Sequence, residues 1–412
     1  MDVVYRCCAG LDVHKETVAA CAIWVDSAGA LKKEIRTFGT MTPDLLALSD
    51  WLGGLGVTHV AMESTGVFWK PIFNILEARF EILLVNARHI KQVPGRKTDV
   101  KDCEWIGDLL RHGLLKASFI PGRPQRELRD LTRHRAQLTG EHTRVANRIQ
   151  KILEDANIKL GSVATDVLGV SGRQIIQALL ADQQSPQQMA ELALGRLRKK
   201  KDALTAALQG NVTEHHQFML RTLWDHLVYL ETVIAAMTTR IEQQMRPFVE
   251  ELELLDTIPG VDLIVAQDLI AEIGTDMNRF PSADHLASWG GLCPGNHESA
   301  GKRKSGRTPK ANRWLKRSLS QASWAASHTK KTYLGAQFKQ VAKRRGRKRA
   351  IIAVAHSILT ISYYLLARHT AYLELGVDYF DRLHPQRLRD YYVRRLQKLG
   401  YAVQLAESQA AA

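Results

Sequence analysis

The sequence predicts an α/β domain at the N-terminus followed by a mostly helical region. Three observations indicate this: strand-like segments that give way to alternating helix and strand, two long apolar repeats at helical spacing, and a last block rich in glycine and basic residues. The 412 residues are enough for two or three domains with their own cores. We divide the chain at residues 1–122, 123–251 and 252–380, with a loosely ordered polar tail at 381–412.

The N-terminal elements follow the order expected of a mixed sheet. Three strands are predicted first, at residues 3–12, 16–25 and 31–38. Helix and strand then alternate through residues 43–53, 57–62, 67–79 and 81–85. Because a meander of strands precedes this alternation, the pattern is typical of an α/β fold.

Four carboxylates lie where this topology brings chain segments together. Asp12 ends the first predicted strand, Glu63 ends the fourth, and Asp99 and Asp102 begin the next helix. Asp99 and Asp102 are three residues apart and share a helix face, where they repel each other unless a cation lies between them. Neighbouring strand ends form a ligand crevice, and carboxylate oxygens suit Mg²⁺ or Mn²⁺. Two such ions would stabilise the attacking and leaving oxygens of a phosphoryl transfer.

Each carboxylate also has an ordinary alternative role. Asp12 is equally suited to a turn, Glu63 to capping a helix, and Asp99 or Asp102 to a first helical turn, where the helix dipole favours negative charge. Together, beside so basic a chain, the four favour a metal site. His14, Glu104 and Asp108 lie nearby and are predicted to be supporting or solvent-facing residues.

The charge of the chain indicates a polyanionic partner. It carries 57 Lys and Arg against 42 Asp and Glu, a net charge of +15 and a pI of about 9.6. Residues 299–349 contain 17 Lys or Arg and no Asp or Glu, whereas a solvated face normally mixes both signs. Nucleic acid is therefore predicted as the partner, contacted by Lys302, Arg303, Lys304, Arg307, Lys310, Arg313, Arg344, Arg345, Arg347, Lys348 and Arg349.

The remaining bulk features favour a cytoplasmic protein. Five cysteines are odd in number and lack metal-ligand spacing, which predicts buried thiols in a reducing compartment. Charges at Asp12, Lys15 and Glu16 argue against a signal peptide. The longest apolar run, 351–366, is interrupted by His356 and is predicted to be too short to cross a bilayer.

Two apolar repeats predict long helices in the middle of the chain. The first includes Leu131, Leu138, Val145, Ile149 and Ile152, and the second runs from Leu223 to Phe248 at spacings of three and four. Such helices form either a hairpin within one chain or an arm that joins chains. The sequence leaves both open.

The block after residue 252 contains two segments suited to phosphate. Residues 258–261 (IPGV) lie between apolar helical patterns and resemble a helix-hairpin-helix turn. Residues 290–307 form a predicted glycine-rich loop that carries Ser299 and Ser305 among cations. The loop either binds a phosphate backbone or supplies a serine nucleophile. The residues alone favour plain binding and do not choose between the serines.

These segments resemble one family. Residues 10–15 (GLDVHK), 62–66 (MESTG) and 97–102 (KTDVKD) are similar to the motifs of the DEDD transposases of the insertion-sequence 110 family, relatives of the Piv-type DNA invertases. Residues 258–261 and 291–301 (GLCPGNHESAG) resemble the C-terminal transposase domain of that family. The resemblance covers roughly residues 6–380, and the motifs come in the same order.

The resemblance implies a fold and a set of catalytic residues. It implies a RuvC-like, ribonuclease-H-type N-terminal domain, a coiled-coil arm and a C-terminal helical transposase domain. Asp12, Glu63, Asp99 and Asp102 would be the metal-binding tetrad, and Ser299 the nucleophile that forms a covalent phosphoserine link to DNA. Ser305 would contact phosphate.

The resemblance also implies partners. Family members act as homo-oligomers, either dimers or tetramers, with the tetrad of one protomer facing the serine of another. They use a structured non-coding bridge RNA that pairs with donor and target DNA; for this chain, that RNA rests on the resemblance alone.

Two alternatives to a recombinase stay open. One is a metal-dependent, structure-specific nuclease in which water attacks and Ser299 only binds phosphate. The other is a nucleic-acid-binding scaffold without activity.

Overall fold

The computed structural model describes residues 3–64, 66–86, 102–181, 184–295, 297–299, 302–309, 311–383 and 385–405. The chain forms two compact units, Met1–Pro121 and Gly122–Ala412. Each unit has its own core and is described by itself.

The first unit is built on a mixed five-stranded sheet. Its strands are β1 (Cys8–Val13), β2 (Thr17–Val25), β3 (Leu31–Gly39), β4 (His59–Glu63) and β5 (Glu81–Val85), in the order β3-β2-β1-β4-β5. The first three strands are antiparallel, and β4 and β5 run parallel to β1 and to each other. The predicted α/β fold with a mixed sheet is confirmed, although β1 begins five residues later than predicted.

Helices cover both faces of this sheet. Helices α1 (Thr42–Gly54) and α2 (Trp69–Leu76) lie on one face, and α3 (Asp102–Arg111) lies on the other. Because strand side chains alternate between faces, β1 contributes Leu11 to the first core and Cys8 to the second. All five cysteines are free; the prediction that they are buried is confirmed for Cys8, Cys21 and Cys103, whereas Cys7 and Cys293 are half-buried.

Two long helices begin the second unit. Helix α4 (Arg123–Asp155) is followed by the short helices α5 (Leu160–Val163), α6 (Val170–Ala181), α7 (Pro186–Glu191) and α8 (Lys201–Ala207), and then by α9 (Glu214–Met245). Helices α4 and α9 pack along each other, and the core between them includes Val145, Ile149, Leu227 and Leu230. The predicted long helices are confirmed, and they form a hairpin within one chain; an additional role in joining chains stays a prediction.

A helical bundle completes the second unit. It contains α10 (Val249–Asp256), α11 (Leu263–Ile273), α12 (Ala283–Trp289), α13 (Arg313–His328), α14 (Tyr333–Arg345) and α15 (Arg347–Arg368), with a small hairpin of β6 (His297–Ser299) and β7 (Lys302–Ser305) between α12 and α13. Helix α15 is central and contacts α12, α13 and α14.

Helix α15 is longer than the apolar run that predicted it. Its 22 residues are enough to cross a bilayer by length and composition, so the expectation that this segment is too short was wrong. Val354, Ile358 and Leu366 are nevertheless buried against the rest of the bundle. A helix half covered in this way is typical of a protein core.

The segment after residue 380 differs from the predicted loosely ordered tail. It contains α16 (Tyr379–Leu383) and α17 (Pro385–Lys398), neither of which buries a residue. Helix formation was missed because a polar helix without a buried face lacks the apolar periodicity that reveals helices in a sequence.

Candidate active site and nucleic-acid interface

Strand register brings Asp12 and Glu63 to one edge of the sheet. Leu11 on β1 is paired with Met62 on the parallel strand β4, so Asp12 and Glu63 follow side by side. Asp12 shares a strand face with Cys8, and Glu63 shares one with Ala61; Cys8 and Ala61 both belong to the core beneath α3. The two carboxylates therefore lie at the carboxyl end of the sheet, on the face that α3 covers.

Helix α3 carries Asp102 to the same edge. The Arg111 carbonyl, at the end of α3, accepts hydrogen bonds from the amides of Val4 and Tyr5, just before β1. Near its start, α3 touches β1 at Gly10, where a Cβ atom would lie 2.2 Å from the carbonyl oxygen of Cys103 and 2.3 Å from the amide nitrogen of Gly107. Helix and strand thus run antiparallel, and Asp102 lies near the Asp12 end of β1.

The surroundings of these carboxylates are partly open to solvent. The side chain of Asp12 is 24% exposed, and one of its oxygens is 3.1 Å from Nε2 of His14. Asp102 is in the first turn of α3, where the partial positive charge of the helix N-terminus favours a carboxylate. His14 thus supports Asp12, as its predicted role suggests.

Two further acidic residues of α3 are engaged elsewhere. Lys33 Nζ on β3 donates to Glu104 at 3.0 Å and to Asp108 at 2.8 Å. Partial burial by itself would lower the pKa of Lys33, but the hydrogen bonds and charges of the two carboxylates outweigh it and raise that pKa. Glu104 and Asp108 therefore tie α3 to β3 through Lys33.

The donor set suits a hard divalent cation, and three of its four carboxylates belong to the described residues. Asp12, Glu63 and Asp102 offer only oxygen atoms, the ligands that Mg²⁺ and Mn²⁺ prefer. Asp99 lies in residues 87–101, outside the described part of the chain. Among the residues that are described, no three His, Cys, Asp or Glu side chains come close enough together to hold a metal. The tetrad stays a prediction.

The predicted glycine-rich loop contains a β-hairpin. In it Ser299 pairs with Lys302 beside the turn, whereas Ser305 pairs with His297 at the open end, and a bulge follows His297. The two candidate serines are thus on different strands at opposite ends of the hairpin. The sequence missed the strands because each has only three or four residues, too few to show an alternating pattern.

A buried ion-pair network supports the helix that follows the hairpin. Asn312 begins α13: its Oδ1 accepts from the amides of Trp314 and Leu315, and its Nδ2 donates to Glu272 Oε2 at 2.6 Å. The side chain of Glu272 is 2% exposed and receives two hydrogen bonds from Arg133, at 2.7 and 2.8 Å. The first turn of α13 is therefore anchored to α11 and, through Arg133, to α4.

The same network includes a second acid–base pair. Arg135 donates to Gln267 at 2.6 Å and to Asp268 at 3.3 Å, and Ser318 donates to Asp268 at 2.5 Å. Burial raises the pKa of Asp268, opposed by Ser318 and Arg135. The sequence did carry a signal for this network, since Asp268 and Glu272 are four residues apart in a mostly apolar helix and so demand buried partners.

Burial also affects the arginine next to Glu272. Desolvation lowers the pKa of Arg129 to about 10, although the charge of Glu272 opposes the shift. Arg129 Nε donates to the carbonyl of Ala271 at 3.0 Å, and Nη2 donates to that of Glu272. This arginine therefore holds the C-terminal end of α11.

The structure brings some of the predicted nucleic-acid contacts together. Arg307, Arg345, Lys348 and Arg349 line one cleft of about 960 Å³. Arg344 and Arg347 are exposed at the same junction of α14 and α15. Arg313 does not line this cleft; its Cζ is 4.6 Å from the ring centroid of Trp314. Lys310 and the side chains of Lys302, Arg303, Lys304 and Ser305 lie outside the described residues.

Comparison with known proteins places both parts of the chain among insertion-sequence transposases. Residues 9–158 match a family model for DEDD transposases of the IS110 type, and residues 252–339 match the model "Transposase IS116/IS110/IS902 family". An uncharacterized 42 kDa protein of insertion element IS900 from Mycobacterium paratuberculosis is 28% identical, over 88% of this chain and 96% of the relative.

Two further relatives also come from insertion elements. The uncharacterized 43.6 kDa protein of IS110 from Streptomyces coelicolor is 26% identical, over 68% of this chain and 73% of its own length. The transposase of insertion sequence element IS1111A from Coxiella burnetii is 22% identical, over 88% of this chain and 90% of its own length.

An acidic sheet edge, a basic helical bundle and these matches define a DNA transposase, an enzyme that cleaves DNA and transfers its strands. The chain belongs to the IS110 family of insertion-sequence transposases, and the resemblance seen in its motifs is confirmed. A DEDD transposase family implies dependence on a divalent metal.

Proposed function

We propose that this transposase cuts and rejoins DNA through a covalent phosphoserine at Ser299, with Asp12, Glu63, Asp99 and Asp102 holding Mg²⁺ or Mn²⁺. The observation that carries the metal site is the backbone arrangement of the first unit. Strand pairing sets Glu63 beside Asp12, and the antiparallel course of α3 brings Asp102 to the same end. Asp99, three residues before Asp102, completes the proposed set.

Strand order supports a RuvC-like, ribonuclease-H-type first domain. An antiparallel β1–β2–β3 meander with β4 and β5 added in parallel beyond β1 is the order such a domain would have. In the second unit, the turn between α10 and α11 supports a helix-hairpin-helix. Gly260 there has φ +89°, and a Cβ atom would lie 2.4 Å from the carbonyl oxygen of Ala322, so the turn needs glycine.

In the proposed reaction, the Ser299 hydroxyl loses its proton as Oγ bonds to phosphorus. The bond from phosphorus to one sugar oxygen breaks, and that oxygen takes up a proton. One phosphodiester replaces another, so rejoining needs no external energy source. Cations on β7, beginning with Lys302, would stabilise the developing negative charge. A divalent metal bound by the tetrad would supply Lewis-acid stabilisation of phosphate oxygens.

The proposed partners follow the family. They are element-end and target DNA, a structured bridge RNA and further copies of the same chain, as a dimer or tetramer. The proposed location is the cytoplasm, at the nucleoid. Residues 299–349 contain 17 Lys or Arg and no Asp or Glu. This charge supports a nucleic-acid partner but does not distinguish DNA from RNA.

The test is a search for a protein–DNA adduct. Purified protein is incubated with Mg²⁺, element-end DNA and the flanking non-coding RNA, denatured, and analysed by mass spectrometry for the attached residue. We expect the adduct at Ser299, lost in Ser299→Ala and retained in Ser305→Ala. Omitting the RNA tests the guide separately.

Two outcomes would replace the proposal. DNA cut without an adduct, by wild type and Ser299→Ala alike, would indicate a nuclease that uses water. Strand cleavage unaffected by Asp12→Ala would remove the metal tetrad from the mechanism.

A further inference from the structure

The cleft between helix α15 and the segments that flank the hairpin, residues 292–294 and 306–308, has an ordered chemical layout. Successive turns of α15 face it: Lys348 and Arg349, then Ile352 and Ala353, then His356 and Ser357. At 1.5 Å per residue, this stripe is roughly 14 Å long. The cleft therefore presents cations at one end, an aliphatic surface in the middle and neutral hydrogen-bonding groups at the other end.

Every charged side chain in the described lining of the cleft is cationic. Its cations are Arg307, Arg345, Lys348 and Arg349, and its lining contains no carboxylate within the described residues. No salt bridge joins Arg345, Lys348 or Arg349 to another described residue. Such an end suits a phosphate group.

At the opposite end of the cleft, the hydroxyl of Ser357 differs from other helical serines in its hydrogen bonding. In the neighbouring helix α13, Ser320 and Ser323 donate to the carbonyl four residues earlier, and Ser362 of α15 does the same. Ser357 instead accepts a hydrogen bond of 2.8 Å from Gln337 Nε2. Its own proton has no acceptor in the described part of the chain, and His356 beside it has no hydrogen-bond partner there either.

Gln337 is itself incompletely bonded. Its Oε1 is buried without a partner among the described groups, an arrangement that costs free energy. The polar end of the cleft thus offers hydrogen-bonding groups at Ser357 and His356 that no described residue uses, and the edge of a nucleobase can pair with them.

We propose that this cleft binds one unpaired nucleotide, with its phosphate at the cationic end and its base lying on Ile352 and Ala353 within reach of Ser357 and His356. Pockets for extruded bases combine apolar side chains with hydrogen bonds to the base edge in this way. A site for phosphate alone would need neither the aliphatic surface nor the neutral end.

The cleft is close in sequence to the proposed nucleophile, Ser299. Gly306, Arg307 and Thr308 of the lining follow β7 directly, and Lys316 donates a hydrogen bond of 2.6 Å to Thr308. Ser299 pairs with Lys302, and at about 3.3 Å per residue the chain from Lys302 to Gly306 spans roughly 13 Å. Resting on the proposed function, the bound nucleotide would be a close neighbour of the cleaved phosphate.

The test measures single-strand binding by full-length protein carrying Ser299→Ala, so it does not depend on covalent chemistry. The probes are a short oligothymidylate, the corresponding oligouridylate, and an abasic strand of the same length that keeps the phosphates. Fluorescence anisotropy gives Kd as a function of salt. Ser357→Ala is compared with Ser320→Ala, the matched serine outside the cleft, and Lys348→Gln tests the cationic end.

We expect Ser357→Ala to weaken binding of the base-bearing strand about 2- to 10-fold, since it removes one hydrogen bond, with abasic binding and the salt dependence unchanged. Lys348→Gln should weaken both kinds of strand and reduce the slope of log K against log salt by about 0.7. Ser320→Ala should behave as wild type. A larger loss with thymidylate than with uridylate would identify DNA as the source of the nucleotide, and the reverse would identify RNA.

Equal effects of Ser357→Ala on base-bearing and abasic strands, or no effect on either, would overturn the proposal. A second measurement does not depend on the loss of a single contact. An oligothymidylate that carries one 5-iodouracil is photo-crosslinked to the protein, and the crosslinked peptide is identified by mass spectrometry. Crosslinks within residues 349–357 are expected. Crosslinks confined to peptides outside the cleft would also overturn it, whether or not Ser299 forms an adduct.

Discussion

The acidic edge and the basic cleft are assembled in opposite ways. Asp12, Glu63 and Asp102 come from segments about 40 to 50 residues apart and lie toward one edge of the sheet because strands pair in one register and α3 runs back along β1. Arg345, Lys348 and Arg349 are almost adjacent in sequence and meet at one helix junction. The first site depends on backbone packing, and the second depends mainly on local charge.

This difference predicts how each site fails. Substitutions that shift backbone elements should disable the acidic edge even when every carboxylate is kept. Charge substitutions at the cleft should change binding strength while leaving the fold intact. Within the basic region, the Glu272 network holds Asn312 through contacts between residues far apart in sequence, so this network is an exception worth testing.

The largest expected effect on stability is that of Glu272→Ala. The variant removes the buried carboxylate that pairs with Arg129 and Arg133. It also removes the hydrogen-bond acceptor of Asn312. Breaking a buried pair from one side costs about 3–5 kcal/mol. Urea unfolding measures this loss. Glu253→Ala, at an exposed position of α10, should change stability by less than about 0.5 kcal/mol. Similar values for the two variants would show that the network contributes little.

Gly10→Ala should damage the acidic edge without touching a carboxylate. The added Cβ would lie 2.2 Å from a backbone oxygen of α3, so strand and helix must separate. Overpacking of this kind costs about 1–3 kcal/mol of unfolding free energy. We expect the rate of DNA strand cleavage to fall sharply while urea unfolding shows that the protein is still folded. The control is Gly54→Ala, where no atom lies within 4 Å and the change should be neutral or slightly stabilising. Full cleavage activity in Gly10→Ala would contradict the dependence on close helix–strand contact.

Removing charge beside the cleft should change DNA binding and nothing else. Arg344→Gln together with Arg347→Gln should weaken binding to all duplexes alike and reduce the salt slope by up to about 1.8, or 0.9 for each phosphate that is no longer neutralised. Unfolding should be unchanged because both side chains are exposed. Arg198→Gln with Lys199→Gln removes the same charge from an exposed turn outside the basic block. Equal slopes for the two double variants would mean that net charge, and not its placement, governs binding.

The smallest predicted effect concerns acid stability of the long helical hairpin. Burial alone would raise the pKa of Glu231, but Arg173 and His142 outweigh it and leave that pKa below 4.5. The unfolded chain therefore binds more protons, so the stabilisation is present above pH 4.5 and is lost as pH falls through the lowered folded value. The Glu231 side chain is 35% exposed, so screening limits the contribution to about 0.5–1 kcal/mol.

Urea unfolding of wild type and Glu231→Gln at neutral pH and at roughly pH 3 measures this contribution. The difference in unfolding free energy between the two proteins should shrink in acid. A constant difference would show that the ion pairs do not respond to protonation of Glu231.

Much of the secondary structure and the charge layout could be predicted from the sequence because both are local. Alternating and helical apolar spacings located the five strands of the first unit, α4, α9 and α15, and a count of charges located the basic block. Motif order indicated the family, which the family models confirm. Polar stretches without a buried face, as in α17, carry no such signal.

Tertiary structure alone decided what joins distant segments. Arg133 and Glu272 are 139 residues apart, and no spacing rule pairs them; their contact follows from how α4 and α11 pack. The unused hydroxyl of Ser357 likewise depends on a neighbour from another element, since Gln337 belongs to α14. Local propensity determines which residues form a helix or strand, whereas the partner of a buried polar group is chosen only when those elements come together.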